Sequence, residues 1–219
     1  MGNEKLLIDA VRSGDLTAIQ ELVKNGADVN TLVDGMFRYV SHPGAGDRCA
    51  VVRFLLDHGA DPHLPGYDKM SALDAWSYEC DPSVVQILLD HGAEPNSGTA
   101  PSGETPLHYA TSRGQKPGST ECVKLLLAAG ANPNQKANVG IPTTAYMRDI
   151  RVRGETPLHR AAIHGDEEMI QALLDHGGDP SIKDAHGESP LCWGSWARRP
   201  SKPILKLLLY GEFIGSINW

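Results

Sequence analysis

The stretch that decides the fold is residues 156–177, which read Thr-Pro-Leu-His-Arg-Ala-Ala-Ile-His-Gly-Asp-Glu-Glu-Met-Ile-Gln-Ala-Leu-Leu-Asp-His-Gly. Thr156 stands where a helix N-cap is expected, and Pro157 follows at the first helical position, where its missing N–H is tolerated. The apolar residues from Ile170 to Leu174 predict a second short helix. Gly177 then predicts a left-handed residue just beyond that helix. The stretch therefore predicts two short helices and a tight turn.

Both halves of this stretch recur along the chain. The Thr-Pro-Leu-His phrase returns at 105–108, with weaker versions at 71–74 and 189–192. The glycine that ends the second helix has equivalents at 26, 59, 92 and 130, so that successive spacings are 33, 33, 38 and 47 residues. A unit of about 33 residues that opens with Thr-Pro-Leu-His resembles the ankyrin repeat. The resemblance extends from about Glu4 to Gly211.

The resemblance implies an all-α ankyrin-repeat solenoid with about six helix–turn–helix units, joined by β-hairpin loops, in a single domain over residues 1–219. No unit can bury its apolar face alone, so stability comes from the stacking of neighbours. The predicted units are approximately 4–30, 31–62, 63–96, 97–134, 135–180 and 181–211. The apolar tail at 212–219 either folds over the last unit as a cap, which we favour, or mediates self-association.

Three departures from the repeat stand out. Unit two lacks the opening phrase, and the Pro and Gly residues at 43–46 predict a short or broken first helix. Residues 115–120 add a polar stretch that predicts a surface loop in unit four. About 14 further residues lie between units four and five, and we call residues 138–153 the finger. Its arginines and apolar residues, with a hint of a strand at Ile150 and Val152, fit either a binding element or a structural flap.

Composition and charge exclude several classes of protein. The 219 residues carry a formal net charge of −7, without the basic footprint of a nucleic-acid binder. No apolar run approaches the roughly 18 residues of a membrane span, and the N-terminus lacks the pattern of a secretory signal. Four cysteines make no disulfide framework. The sequence predicts a cytoplasmic protein whose partners are neither nucleic acid nor membrane.

The histidines do not indicate catalysis or metal binding. His108 and His159 belong to the repeat phrase, and the resemblance implies that their imidazoles help to tie loops together. No histidine or cysteine pair has zinc-site spacing, and nucleophile-elbow and phosphate-loop motifs are absent from the sequence. We predict no enzyme, no metal and no cofactor. The alternative is an enzyme or small-molecule site beside the finger, where polar residues would converge: Arg148, Asp149, Arg153, His164 and His186.

Recognition is the function that the resemblance implies, because ankyrin arrays bind partners on a concave face. That face consists of the hairpin residues before Thr-Pro and of positions late in the first helices. Carried onto this chain, and with the finger added, the candidates are Tyr67, Met70, Tyr78, Glu79, Glu104, Arg113, Tyr146, Arg148, Arg151, Arg153, His164, His186 and Trp196. The residues assigned to the repeat framework are Thr105, Pro106, His108, Thr156, Pro157 and His159.

Charge distribution suggests what kind of partner this face would bind. Residues 1–96 hold 7 Lys and Arg against 15 Asp and Glu, whereas residues 97–219 hold 13 against 12. Arginines concentrate at 148, 151, 153 and 160. We therefore predict a protein or peptide partner with an acidic segment. A monomer is expected, and a self-associating structural array is the further alternative. Among the aromatic residues, Trp196 fits either the binding face or the C-terminal cap, and Trp193 fits a packing position.

Overall fold

A computed structural model describes residues 2–30, 47–66, 69–143, 152–195 and 202–209 of the chain. These residues form helices in chain order: α1 Gly2–Ser13, α2 Leu16–Lys24, α3 Arg48–Asp57, α4 Ala72–Glu79, α5 Pro82–Asp90, α6 Pro106–Ser112, α7 Ser119–Ala128, α8 Pro157–His164, α9 Glu167–Asp175, α10 Pro190–Ser195 and α11 Lys202–Leu207. The predicted all-α ankyrin solenoid is confirmed. The expected first helix of unit two and the tail at 212–219 lie outside the described residues.

The helix ends follow from local sequence. Thr105 and Thr156 occupy N-cap positions with extended backbones, and a proline begins each of the helices that follow them. The second helices α2, α3, α5 and α9 each begin after an aspartate whose carboxylate accepts a hydrogen bond from a backbone N–H of the first turn. The five predicted C-terminal glycines all have φ between 84° and 90°. Side chains other than glycine seldom adopt this left-handed conformation, which explains the recurrence of glycine there.

The helices stack in two layers. In the inner layer α4, α6, α8 and α10 pack in sequence, and in the outer layer α3, α5, α7, α9 and α11 do the same. Leucine, valine, isoleucine and alanine side chains from both layers form one continuous core. Trp76 of α4 lies within it, at a position where the repeat prefers a small residue, and is 1% exposed. Each unit thus buries its apolar faces against its neighbours.

A row of asparagine side chains fastens the outer turns of successive repeats. Asn96 Nδ2 donates to the Gly130 carbonyl at 2.9 Å, and Asn96 Oδ1 accepts from the Asn132 backbone N–H at 2.7 Å. Asn30 makes the same two bonds to the turn at Gly59, and Asn134 makes them to the turn at Gly177. We call each pair of bonds an asparagine clamp. Each clamp asparagine stands four residues after a repeat glycine, a spacing that the sequence analysis overlooked.

The hairpins between units are joined edge to edge, and the finger grows from one of them. Asn138 N–H donates to the Ser102 carbonyl at 2.7 Å, and Ala185 N–H donates to the Arg153 carbonyl at 2.7 Å. Within the finger, Gly140 N–H donates to the Val152 carbonyl, and Val152 N–H donates to the Ile141 carbonyl. Residues 138–143 and 152–153 therefore form the stem of an antiparallel hairpin. Residues 144–151, including Ile150, lie outside the described residues.

Candidate recognition surface

The two motif histidines connect consecutive units, as the resemblance implied. His108 Nδ1 accepts from the Thr105 backbone N–H at 3.1 Å, so the ring proton resides on Nε2. Nε2 then donates to the Glu155 carbonyl of the next hairpin at 3.2 Å. His159 repeats the arrangement with Thr156 at 3.1 Å and the Glu188 carbonyl at 3.0 Å. Burial, reinforced by the nearby Arg160 guanidinium, lowers the pKa of His108 to about 4 and keeps its imidazole neutral.

Beside these histidines lies a buried ionic cluster of Glu104, Glu155 and Arg160. Arg160 Nη2 is 2.6 Å from Glu104 Oε1 and 2.6 Å from Glu155 Oε1, and Arg160 Nε donates to the same Glu155 oxygen at 3.1 Å. Arg160 Nη1 donates to Ser112 Oγ at 2.9 Å. Each glutamate directly precedes the N-cap threonine of an inner helix, so the guanidinium joins units four and five. The three charged residues are at most 4% exposed.

The cluster is ionised. Burial alone would raise the pKa values of Glu104 and Glu155, but the Arg160 guanidinium and surrounding hydrogen bonds outweigh it and hold both values below the usual range. The same carboxylates raise the pKa of Arg160. Two sequence-based interpretations are therefore wrong: Glu104 is not a surface contact, and Arg160 adds no charge to a basic face. Both residues were expected to be accessible to solvent, but the structure buries them.

The cluster also holds the stem of the finger. Thr143 Oγ1 donates to Glu104 Oε1 at 2.6 Å, and the Arg153 backbone N–H donates to Glu155 Oε2 at 2.7 Å. Ser102 Oγ donates to the other Glu104 oxygen at 2.6 Å. Both strands of the stem thus end on carboxylates that already pair with Arg160. Anchoring of this kind serves equally a binding element and a flap.

Tyr78 and Arg113 meet on the inner face, between units three and four. The Arg113 guanidinium lies 4.6 Å from the centroid of the Tyr78 ring, and Arg113 Nη1 donates to the Tyr78 hydroxyl at 3.3 Å. The Tyr78 ring in turn packs edge-on against buried Tyr109, with centroids 6.5 Å apart. Tyr78 and Arg113 are both partly exposed. The structure thus brings together two of the predicted binding residues.

Glu79 is paired within the chain. Its Oε2 lies 2.8 Å from Lys116 Nζ, which belongs to the extra loop of unit four. That loop is attached more firmly than a plain surface loop, because Gly118 also approaches the Cys80 carbonyl so closely that a Cβ there would lie 2.4 Å from its oxygen. The loop therefore packs against the end of α4 and extends the contact between units three and four.

The other described candidates are scattered. Met70 is only 8% exposed and packs with Tyr109, so its assignment to the binding surface is corrected: it supports that surface from below. His164 ends α8, partly exposed, and burial together with Arg160 lowers its pKa. Arg153 on the stem pairs with Glu188 at 3.2 Å, and His186 is exposed at the next hairpin tip. Five candidates lie outside the described residues: Tyr67, Tyr146, Arg148, Arg151 and Trp196.

Unit three carries an aspartate in place of the motif histidine. Asp74 Oδ2 accepts from the Ser71 N–H, the Ser71 hydroxyl and the Thr99 hydroxyl at 2.8–3.0 Å. Among the described residues, no hydrogen-bond partner is present for buried Asp74 Oδ1, nor for Trp76 Nε1 and Ser77 Oγ in the same helix. Burial, against these hydrogen bonds, raises the pKa of Asp74 to about 7. Unit three is therefore tied to the hairpin of unit four through the Thr99 hydroxyl, and not through a ring N–H as in the units with His108 and His159.

In the C-terminal unit, Trp193 and Cys192 are partly buried. Trp193 Nε1 donates to Asp184 Oδ2 at 3.1 Å, and its ring packs edge-on against His159 with centroids 5.3 Å apart. Cys192, at the histidine position of unit six, accepts a weak hydrogen bond from Ser189 Oγ at 3.6 Å. Trp193 therefore completes the packing around the last motif histidine.

The described residues also bear on metal binding, membrane insertion and small-molecule binding. Across the described ranges, no cluster of three or more His, Cys, Asp or Glu side chains has the arrangement of a metal site. No helix within those ranges is long and apolar enough to cross a membrane. A shallow depression of about 420 Å³ lies between the unit-four loop and α9, where Lys116, Lys124 and Asp166 line it. It is not beside the finger, where the sequence placed the alternative small-molecule site.

The chain belongs to the ankyrin-repeat family. The family model described as ankyrin repeats (3 copies) matches residues 37–137 and 140–218. The second match begins within the finger stem. Ankyrin repeats are generally protein–protein interaction modules and are generally non-catalytic.

Similar regions occur in larger proteins of diverse kinds. The chain is 35% identical over 96 residues to mouse Rabankyrin-5, which covers 43% of this chain and 8% of that protein. It is 38% identical over 90 residues to human SH3 and multiple ankyrin repeat domains protein 1, and the matched region covers 41% of this chain and 3% of that protein. It is 39% identical over 90 residues to a Caenorhabditis elegans intracellular phospholipase A2, and the matched region covers 41% of this chain and 7% of that protein. The chain spans less than a tenth of the length of these three relatives.

Proposed function

We propose that this chain is a non-catalytic recognition module that binds a protein or peptide partner through the inner face of units three to six and the finger. The observation that supports it is the row of partly exposed side chains late in successive inner helices: Tyr78 in α4, Arg113 at the end of α6 and His164 in α8. Tyrosine and arginine are prominent among the residues that dominate binding energy at protein interfaces.

The framework beneath this row favours recognition because it is fixed before a partner arrives. The motif histidines and the ionic cluster connect units four and five through buried hydrogen bonds. Asparagine clamps fasten the outer turns. A surface held in this way loses little conformational freedom on binding, so more of its contact energy appears as affinity.

The finger supplies the second part of the proposed contact. On its stem, Val139 is 60% exposed and Ile141 is 36% exposed. Exposed apolar side chains on a firmly anchored hairpin are suited to being covered by a partner. The exposure of these two side chains supports a contact surface, whereas Val152 on the returning strand is buried at 3% exposure.

Affinity capture with the full chain tests this proposal. In the finger variant, residues 144–151 are replaced by a short Gly-containing turn, which retains Thr143, Val152 and the contacts to Glu104. In the inner-face variant, His164→Glu adds a carboxylate to the proposed contact surface. In the matched control, Ser83→Glu adds one to the first turn of α5 in the outer layer, where Ser83 is exposed.

A protein captured by the wild type and by Ser83→Glu, but lost from the finger or inner-face variant, is the expected result. Direct binding of that protein, once purified, should then show the same pattern. Equal capture by all four chains would contradict the proposed surface. A molecular mass that rises with concentration would instead favour the self-associating array.

The predicted preference for acidic partners has its own test. Reversing Arg151 and Arg153 together to Glu should weaken binding of the captured partner by about tenfold, because charge complementarity is replaced by repulsion. Since Arg153 also pairs with Glu188, Arg153→Gln alone is the control for the loss of that ion pair. Unchanged affinity in the double reversal would show that the finger does not carry the complementarity.

A further inference from the structure

The positive charges of the inner face are not equally available to a partner. Arg160 is enclosed with Glu104 and Glu155, Arg153 pairs with Glu188, and Lys116 pairs with Glu79. Arg113 differs from these: among the described residues its side chain contacts the Tyr78 ring and hydroxyl, and no carboxylate pairs with it. A partly exposed guanidinium therefore remains uncompensated at the centre of the row.

The Arg113 guanidinium is also held in one place. It lies over the Tyr78 ring, and its Nη1 hydrogen bond to the Tyr78 hydroxyl fixes its rotation. Tyr78 packs edge-on against Tyr109, which is itself fully buried. Stacking on an aromatic ring uses the flat face of a guanidinium, so its remaining N–H groups stay available to an acceptor.

We propose that the Arg113–Tyr78 stack is the receptor for a carboxylate of the bound peptide, an Asp or Glu side chain flanked by apolar residues. The inference rests on the proposed recognition function and specifies its partner. A guanidinium presents N–H donors in a planar fork whose geometry matches a carboxylate. Ala75 and Tyr78, which pack over buried Met70 and Tyr109, are partly exposed and suit apolar residues beside the acidic one.

This assignment adds an acidic contact at units three and four to the one proposed for the finger. The ion pairs at Lys116 and Arg153 are formed within the chain, and a partner would have to displace Glu79 or Glu188 to use them. At Arg113 an incoming carboxylate displaces no carboxylate of the described residues. The gain from pairing there is therefore not offset by the loss of an ion pair among them.

Selection from a phage-displayed library of random dodecapeptides on the immobilised full chain provides the probe. Peptides that survive selection are synthesised, and their dissociation constants are measured in solution. We expect them to share an Asp or Glu beside apolar residues. Replacing that residue by Asn or Gln should weaken binding about tenfold, as expected for the loss of a charged hydrogen bond.

A double-mutant cycle identifies the protein side of the contact. Arg113→Gln should weaken the selected peptide about tenfold, and the amide peptide should bind wild type and Arg113→Gln with nearly equal affinity. Arg48→Gln, which removes an arginine that pairs with Asp81 in the outer layer, is the matched control and should leave affinity unchanged. Far-ultraviolet circular dichroism and the melting temperature check that each variant is folded.

The outcomes separate the inference from the function on which it rests. If selected peptides are weakened by His164→Glu but are insensitive to Arg113→Gln, the inner face binds peptides and the carboxylate receptor is wrong. If selection enriches no peptide over an uncoated surface, or if Ser83→Glu alone affects binding, both proposals fail. Coupling between Arg113 and the peptide acid, absent at Arg48, supports both.

Discussion

Unit three and units four and five share one repeat pattern but differ in how they are tied to their neighbours. In units four and five a neutral histidine uses both ring nitrogens, and a buried arginine joins the two units. In unit three the histidine is replaced by Asp74, whose Oδ2 accepts from the Thr99 hydroxyl of unit four. Its Oδ1, Trp76 Nε1 and Ser77 Oγ are buried, and the part of the chain that the structure describes offers them no hydrogen-bond partner. Buried polar atoms without hydrogen bonds cost free energy. The difference teaches that matching repeat sequence does not ensure equal stability along the array.

The largest expected effect comes from the ionic cluster. Arg160→Met should lower the free energy of unfolding by about 3–5 kcal/mol, because two buried carboxylates lose their counter-charge. Urea denaturation measures it. Arg153→Met removes an exposed pair and should cost about 0–1 kcal/mol. If Arg160→Met costs no more than Arg153→Met, units four and five are not held together by this cluster.

Titration of Asp74 should make unit three sensitive to pH. Its folded-state pKa of about 7 exceeds its ordinary value of 3.8, so its contribution to stability is complete below pH 3.8 and disappears as the pH rises through 7. The change is on the order of 2–4 kcal/mol. Asp74→Asn cannot titrate, and the difference in unfolding free energy between wild type and this variant should fall across that interval.

His108 works in the opposite direction and offers the matched comparison. Its folded-state pKa of about 4 lies below the ordinary 6.5, so its contribution to stability rises with pH between these values. The unfolding free energy of His108→Asn should therefore fall relative to that of wild type as the pH rises from 4 to 6.5. Parallel curves for wild type and Asp74→Asn, with a sloping difference for His108→Asn, would show that Asp74 remains ionised.

Two serines give a smaller and cleaner test of the same contrast. Ser112 Oγ donates to the His108 carbonyl and accepts from Arg160, whereas buried Ser77 Oγ has no partner within the described ranges. Ser112→Ala should cost about 1–2 kcal/mol, and Ser77→Ala should change stability by less than about 0.5 kcal/mol. Thermal and urea unfolding of the two variants measure this difference. Equal losses would mean that Ser77 has a hydrogen-bond partner in solution.

The smallest effect concerns the junction between units two and three, where His63 occupies the clamp position. Its backbone N–H donates to Asp61 Oδ1 at 2.9 Å, as the Asn30 N–H donates to Asp28 Oδ1 at 2.8 Å, so the turn is already formed. His63→Asn should add a clamp and raise the unfolding free energy by about 0.5–1 kcal/mol. Asn96→Ala, the reverse change at an existing clamp, should lower it by about as much.

The sequence predicted the features that recur in every repeat. Thr105, Pro106 and the spaced glycines specified where helices begin and end, and the phrase around His108 indicated how loops are tied. It did not predict that Glu104 and Arg160 are buried together as an ion pair. A charged residue at a hairpin or helix position is ordinarily exposed, and only the packing of the units shows that two such residues meet. The recurrence of Gly-Glu-Thr-Pro at 103–106 and 154–157 was the available signal, since it places equivalent carboxylates in adjacent units.

The candidate site was predicted less well for a related reason. Tyr78, Arg113 and His164 follow from their register in the first helices, which is fixed by the repeat. Whether an arginine is available depends on side chains that come from other units, such as Glu188 beside Arg153. Such pairings join residues 35 positions apart in this chain, and no local pattern encodes them.

The way in which the finger leaves the array has an evolutionary consequence. The chain departs after Ala137 and returns at Glu155, and the Ala137 N–H still donates to the Glu155 carbonyl at 3.0 Å, as in an uninterrupted repeat. The entropy of closing an inserted loop grows only slowly with its length. New segments can therefore be exchanged beyond the stem while the repeats on either side keep their own bonds. The junction is a grafting point, at which mutation can vary specificity without endangering the fold.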